Sequence, residues 1–224
     1  MTTGGTSPPP HEGPDRPSIT VAAIDDHPVV LRGIQAVLAS SAPDLELVAI
    51  VGSVAELLDG PGRDAAVVLL DLGRPDARPP HEEVSALVNE ARKVLIFTGE
   101  DRPVPIAAAI KAGASGLVLK ADAEDVLAQS VRDAAAGELV CSGPVANALV
   151  QQRDLVLNLS ARQVEILELV ADGVPRRSIA RRLEISENTV GEYLKRIVTG
   201  YRAQGIVLGN AHSIVRRAQL DGYL

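Results

Sequence analysis

The chain has 224 residues, room for one large domain or two small ones, and its 46% hydrophobic, 23% charged make-up is that of a soluble globular protein. Its single cysteine, Cys141, excludes an intramolecular disulfide and a thiolate metal cluster, and four aromatic residues with no Trp leave little to stack bases or sugars. The net charge of −7 argues against a nucleic-acid partner until it is divided: residues 1–150 carry 11 Lys and Arg against 21 Asp and Glu, and residues 151–224 carry 11 against 8. An acidic part is joined to a mildly basic one, which points to two domains with different partners.

Residues 1–18 hold five of the fifteen prolines among Gly, Thr and Ser, and read as a disordered tail. No apolar stretch is long enough for a secretory signal or a membrane span, so a cytoplasmic protein is expected. From Ile19 short β-branched runs alternate with helical patterns. The runs are Ile19 to Ile24, Leu45 to Val51, Ala65 to Leu70, Val94 to Phe97 and Leu117 to Leu119. Most are continuously apolar, as in strands covered on both faces, while Glu46 suits the second to an edge. Pro28 opens a helix, Ser53 and Glu56 form a capping-box pattern for another, and Asp122 is positioned to cap a last one that Gly137 stops. Five strands alternating with helices predict an α/β doubly wound, parallel five-stranded sheet.

In such sheets ligands bind beyond the carboxyl ends of the strands. Asp25 and Asp26 follow the first run, Asp71 the third, Thr98 the fourth and Lys120 the fifth, so three carboxylates, a hydroxyl and an ammonium converge on one crevice. Carboxylates that close repel one another unless a positive charge intervenes. Lys120 and a hard divalent cation on oxygen ligands would supply it, with Asp71 as nucleophile and Thr98 and Lys120 on the oxygens of a transferred phosphoryl group. His27, next to the acidic pair, is assigned a turn or cap role and no chemistry, Lys111 and Arg132 are read as solvated, and Cys141 as a small packed residue.

These residues, with Pro75 four positions after Asp71 and the stretch Ala112-Gly113-Ala114-Ser115-Gly116 leading to Lys120, resemble a response-regulator receiver domain of flavodoxin-like fold. The resemblance covers about residues 19–137. It implies that a sensor histidine kinase phosphorylates Asp71 and that Asp25, Asp26, Asp71 and the Gly73 carbonyl bind Mg²⁺, Asp25 through water. Two positions depart from the family pattern. Leu117 stands where many receivers carry a switching aromatic residue, and Gly73-Arg74 replaces the commoner basic residue followed by Met.

After Gly143 only helical patterns occur. Ser160 and Gln163 cap a helix that stops at Gly173, Pro175 begins a short one through Leu183, Ser186 caps one running to about Thr199, and Asn210 caps the last. This is the order of a helix-turn-helix module. Val190, Tyr193, Leu194 and Ile197 at helical spacing anchor the third helix, leaving Asn188, Gly191, Glu192, Lys195 and Thr199 outward. Arg176, Arg177, Arg181 and Arg182 are placed to meet phosphates, with Ser178 and Thr189 adding neutral contacts. Residues 159–220 resemble the LuxR-type DNA-binding domain, and with the receiver the whole chain resembles the NarL/FixJ class of two-component response regulators. Gly191 takes the place of that family's usual basic residue, Lys195 matches a DNA-contact position, and the last helix corresponds to the dimerisation helix.

The expectation is a tail at 1–18, a receiver at 19–137, a linker at 138–158 and a small all-α helix-turn-helix domain at 159–224. The function expected is a phosphorylation-controlled transcription factor, not an enzyme, that binds double-stranded DNA as a homodimer and has no membrane partner. Two alternatives stand beside it. In one, favoured by Leu117, the receiver is a dimerisation or ligand-sensing module that works without phosphate. In the other the chain is a phosphoaspartyl hydrolase, but the second acid that haloacid-dehalogenase-type enzymes carry two residues after the nucleophile is replaced here by Gly73.

Overall fold

The computed structural model describes residues 18–75, 77–88, 92–99, 101–151 and 157–224, so the predicted disordered tail lies, except for Ser18, outside the described residues. The apolar runs become strands β1 (Ile19–Ile24), β2 (Leu45–Val51), β3 (Val67–Leu70), β4 (Lys93–Thr98) and β5 (Gly116–Leu119). All pair in parallel, and a further two-residue strand, β6 (Val140–Cys141), adds to β5 through Gly116 opposite Val140 and Leu117 opposite Cys141. The sheet order is β2-β1-β3-β4-β5-β6, with β2 at the edge that Glu46 suggested. The sheet thus has six strands where five were predicted, because two residues are too few to show a periodicity. Gly116 permits the extra pairing: its φ is +150°, and a Cβ there would fall 2.1 Å from the Val140 carbonyl oxygen.

Strand residues alternate between two cores, so both faces of the sheet must be covered. Val21, Ala23, Val67 and Leu69 pack with α1 (Pro28–Ser41) and α5 (Glu124–Ala135) through Ile34, Leu38, Leu127 and Val131. Ala22, Ile24, Val68 and Leu70 face the other layer. That layer is built from α2 (Val54–Asp59), α3 (Pro80–Leu87), α4 (Pro103–Lys111) and α6 (Pro144–Gln151), whose Leu57, Val84, Ile106 and Val150 are fully buried. Pro in the first turn of α1, α3 and α4 supplies a preset φ where the missing N–H costs nothing.

Two local expectations are corrected. Asp122 does not cap α5; Ala123 holds that position, and Asp122 Oδ2 instead accepts from Leu119 N at 2.9 Å and from the Ser142 hydroxyl. The chain leaving β6 brings that hydroxyl within reach, so the carboxylate bonds across the loop rather than along the helix. Arg132 is not merely solvated: its Nε and Nη2 each donate to Asp44 at 2.8 Å, a bidentate pair tying α5 to the turn before β2 and raising the guanidinium pKa.

The remaining helices are α7 (Ala161–Ala171), α8 (Arg176–Arg182), α9 (Glu187–Ala203) and α10 (Ala211–Asp221). Complete capping boxes start α7 at Ser160 and α10 at Asn210, and the Ser186 side chain accepts from Thr189 N to start α9. α9 runs four residues beyond the predicted Thr199, because its buried stripe Val190, Leu194, Ile197 continues to Tyr201. Tyr193, predicted as an anchor, is only partly buried and packs at the margin of this core, with the Arg196 guanidinium 5.9 Å from its ring centroid.

The Tyr201 hydroxyl donates to Asp221 Oδ2 at 2.8 Å, and Arg217 Nε donates to the same oxygen at 3.0 Å, locking α9 to α10. Burial, then the bond to Asp221 and its charge, raise the Tyr201 pKa well above that of a free phenol. The folded state therefore keeps a proton that the unfolded chain releases, and stability present below about pH 10 is lost as the pH rises further. Tyr201→Phe is expected to cost about 1–3 kcal/mol at neutral pH and to reduce the alkaline loss, both read from urea unfolding of this domain between neutral pH and pH 11.

Candidate functional site

The order of strands reverses about β1, so the chain leaves β1 and β3 in opposite directions and opens a crevice at their carboxyl ends. The ladder runs one residue past the strands and fixes the backbone there. Asp25 N donates to Val51 O at 3.1 Å, Asp71 N to Ile24 O at 3.0 Å, and Lys120 N to Thr98 O at 3.0 Å. Sequence-predicted residues from four strands are thereby aimed at one another.

Asp25 and Asp71 are each 2% exposed, and Thr98 is fully buried. Thr98 Oγ1 donates to Asp71 Oδ1 at 2.8 Å. Lys120 Nζ stands 2.7 Å from Asp25 Oδ2 and 3.0 Å from Asp71 Oδ2. The ammonium is an ion-pair partner for Asp25 Oδ2 without the alignment of a hydrogen bond, so that buried oxygen keeps a lone pair unspent. Asp26 is exposed at the mouth. His27 holds the cap position of α1, in keeping with the turn or cap role expected for it: its backbone N–H donates to Asp25 Oδ1 at 2.8 Å, and its Nδ1 lies 2.9 Å from Asp26 Oδ1.

One ligand atom from each of Asp25, Asp26, His27 and Asp71 lies within 4.8 Å of the others. Three carboxylates with an unspent buried oxygen are a hard donor set, which fits a small divalent cation such as Mg²⁺. Gly73 is exposed beside them, where a Cβ would lie in ordinary van der Waals contact with Asp71 Oδ2 at 3.6 Å. Leu117 is fully buried in the core that α4 and α6 complete, among Ile106, Ala109 and Val150.

In the helical domain α8 and α9 are joined by a tight turn with Glu184 at φ +54°. Arg176, Arg177, Arg181, Arg182, Asn188, Glu192, Lys195 and Thr199 are exposed, whereas Ser178, Thr189 and Gly191 are partly buried. Two of the hydroxyls face local partners: Thr199 Oγ1 donates to Lys195 O at 2.8 Å, and Thr189 Oγ1 lies 2.8 Å from Ser186 Oγ. A groove of about 430 Å³ is lined by Arg176, Gly191, Lys195, Thr199 and Arg202. Arg202 was missed from sequence because it lies beyond the predicted helix end; the spacing Lys195, Thr199, Arg202 was its signal.

A parallel α/β domain with an acidic crevice, followed by a helix-turn-helix module, defines a two-domain response regulator. Residues 157–205 match the family described as bacterial regulatory proteins, luxR family. The chain is 32% identical over 191 residues to the nitrate/nitrite response regulator protein NarL of Escherichia coli K12, covering 80% of this chain and 87% of that protein. It is 30% identical over 190 residues to the DNA-binding transcriptional activator DevR/DosR of Mycobacterium tuberculosis, covering 80% and 87%. Among solved structures, the response regulator ChrA of a heme-sensing two-component system aligns over 93% of this chain and all of its own, with a TM-score of 0.53 and 31% identity. RcsB of Salmonella enterica serovar Typhimurium, bound to a promoter, shares the fold at a TM-score of 0.65 and 21% identity, over 91% of this chain and 98% of that one. The chain belongs to the NarL family of DNA-binding response regulators, which are transcriptional regulators and not in general enzymes. No helix among the described residues is long and apolar enough to cross a membrane.

Lys120 is the cation nearest both buried carboxylates. Lys120→Met is expected to destabilise the α/β domain by about 2–4 kcal/mol, because it strands two charges away from water. Urea unfolding at neutral pH measures the loss.

Proposed function

We propose that this protein is a transcription factor switched by phosphorylation of Asp71 and that it binds double-stranded DNA as a homodimer. The observation that carries the reading is the placement of Thr98 Oγ1 on one oxygen of Asp71 and Lys120 Nζ on the other. In the proposed step an Asp71 oxygen attacks the phosphorus of a phosphohistidine on a sensor kinase. The O–P bond forms as the P–N bond breaks, and the leaving imidazole takes up a proton. Mg²⁺ held by Asp25, Asp26, Asp71 and the Gly73 carbonyl would neutralise charge on the transferring group. Lys120 and Thr98 then turn from the carboxylate to the new phosphoryl oxygens, and that shift favours a different arrangement of the domain surface.

The division of labour we propose is a receiver that runs from 19 to 151, since β6 and α6 join its sheet and core rather than the linker expected at 138–158, and a DNA reader at 159–224. Arg176, Arg177, Arg181 and Arg182, with Ser178 and Thr189, would contact phosphates. Asn188, Glu192, Lys195 and Thr199 would face the major groove, with Glu192 suited to a cytosine amino group. The burial of Leu117 beneath α4 and α6 favours a second reading, in which the receiver acts as a dimerisation or ligand-sensing module without phosphate.

Incubation with acetyl phosphate and Mg²⁺ is expected to add one phosphoryl group to the intact mass of the protein and none to Asp71→Asn; equal uptake by both sinks the assignment. DNA binding that is the same for Asp71→Asn and the treated wild type supports the second reading. Lys195→Ala is expected to weaken DNA binding and, if it meets a phosphate, to lower the slope of log K against log salt by about one.

A further inference from the structure

We propose that Arg74 is a positioning residue for the acidic pocket, holding the loop of Asp71 and Gly73 through a buried strut to Glu83. The inference rests on the reading of Asp71 as phosphoacceptor and Gly73 as a carbonyl ligand of the cation. An arginine in a loop ordinarily reaches into water, yet this one is 7% exposed and Glu83 on α3 is 5% exposed. Arg74 Nε donates to the carbonyl oxygen of Asp71 at 3.0 Å, Nη1 to the carbonyl of Gly52 at 3.4 Å, and Nη2 to Glu83 Oε2. The second Glu83 oxygen accepts from Arg78 N at 3.3 Å. One planar guanidinium therefore joins the loop after β2, the loop after β3 and the side of α3, a geometry that an ammonium cannot reproduce.

The need for such a strut follows from Gly73. Without a side chain it has nothing of its own to pin its peptide, yet it lies beside the Asp71 carboxylate, where its carbonyl would be a ligand of the cation. Arg74 bonds back to the carbonyl oxygen of Asp71, so the three peptides that join the nucleophile to the arginine are held at both ends. Glu83 has a second role: it cancels a positive charge that would otherwise lie beside a cation site. A strut of this kind acts as the outer support of a metal centre does, by fixing the direction of ligands it does not replace.

The experiment titrates the full-length protein with Mn²⁺ alone and follows free Mn²⁺ by electron paramagnetic resonance, since the chain has no Trp to report binding by fluorescence. Arg74→Met alone would strand Glu83, so the main variant is Arg74→Met with Glu83→Leu, which removes both charges and keeps the volume filled. It is expected to keep the wild-type circular dichroism spectrum and to bind Mn²⁺ about tenfold or more weakly. Arg74→Lys, which keeps the charge and loses the fork, should fall between it and wild type. Glu83→Leu alone should bind more weakly than the double variant, because the guanidinium then repels the ion. A double variant that binds as tightly as wild type overturns the inference, as does Arg74→Lys at full affinity. Wild type that binds no Mn²⁺, or binds it unchanged after Asp71→Asn, overturns instead the assignment of the pocket itself.

Discussion

The α/β domain depends on one ammonium held between two buried carboxylates. Asp25 and Asp71 are brought together by strands β1 and β3, which pair in register, so the residue ending each strand emerges at the same level. Two like charges about 4 Å apart repel by roughly 4 kcal/mol at the effective dielectric of a protein, a large part of the stability of an ordinary domain. Lys120, from the far side of β4, lies between them and turns that repulsion into two attractions. The same arrangement leaves a buried oxygen of Asp25 without an aligned donor. One ammonium among three carboxylates leaves the pocket with a net negative charge.

The helical domain divides its work between an inner stripe and an outer face. Val190, Leu194, Ile197 and Tyr201 fix the direction of α9 against the domain core, and the Tyr201–Asp221–Arg217 contacts fix α10 against α9. Outward, α9 offers the cations Lys195, Arg196 and Arg202 against the carboxylates Glu187 and Glu192, with no side chain at Gly191. The four exposed arginines of α8 add to this positive charge, and Gly191 lies in the groove that Arg176, Lys195 and Arg202 line.

Much of both domains was legible in the sequence because their signals are local. Continuous apolar runs marked five strands, proline and capping residues marked most helix starts, and polar residues directly after strands marked Asp25, Asp71, Thr98 and Lys120. Asp122 failed as a cap for the opposite reason: Ser142, which it bonds, lies twenty residues away and is brought near only by β6. Arg132 finds Asp44 across 88 residues, and no spacing rule connects them.

The sequence by itself determined the alternation of elements, the acidic and basic division of the chain, and which residue types sit at strand ends and on helix faces, since period and local charge are properties of neighbours along the chain. Only the tertiary structure decided the sixth strand and the inward turn of Arg74 onto Gly52 and Glu83. Each of these is a contact between segments that folding brings together, and a buried charge is stable only where such distant partners neutralise it.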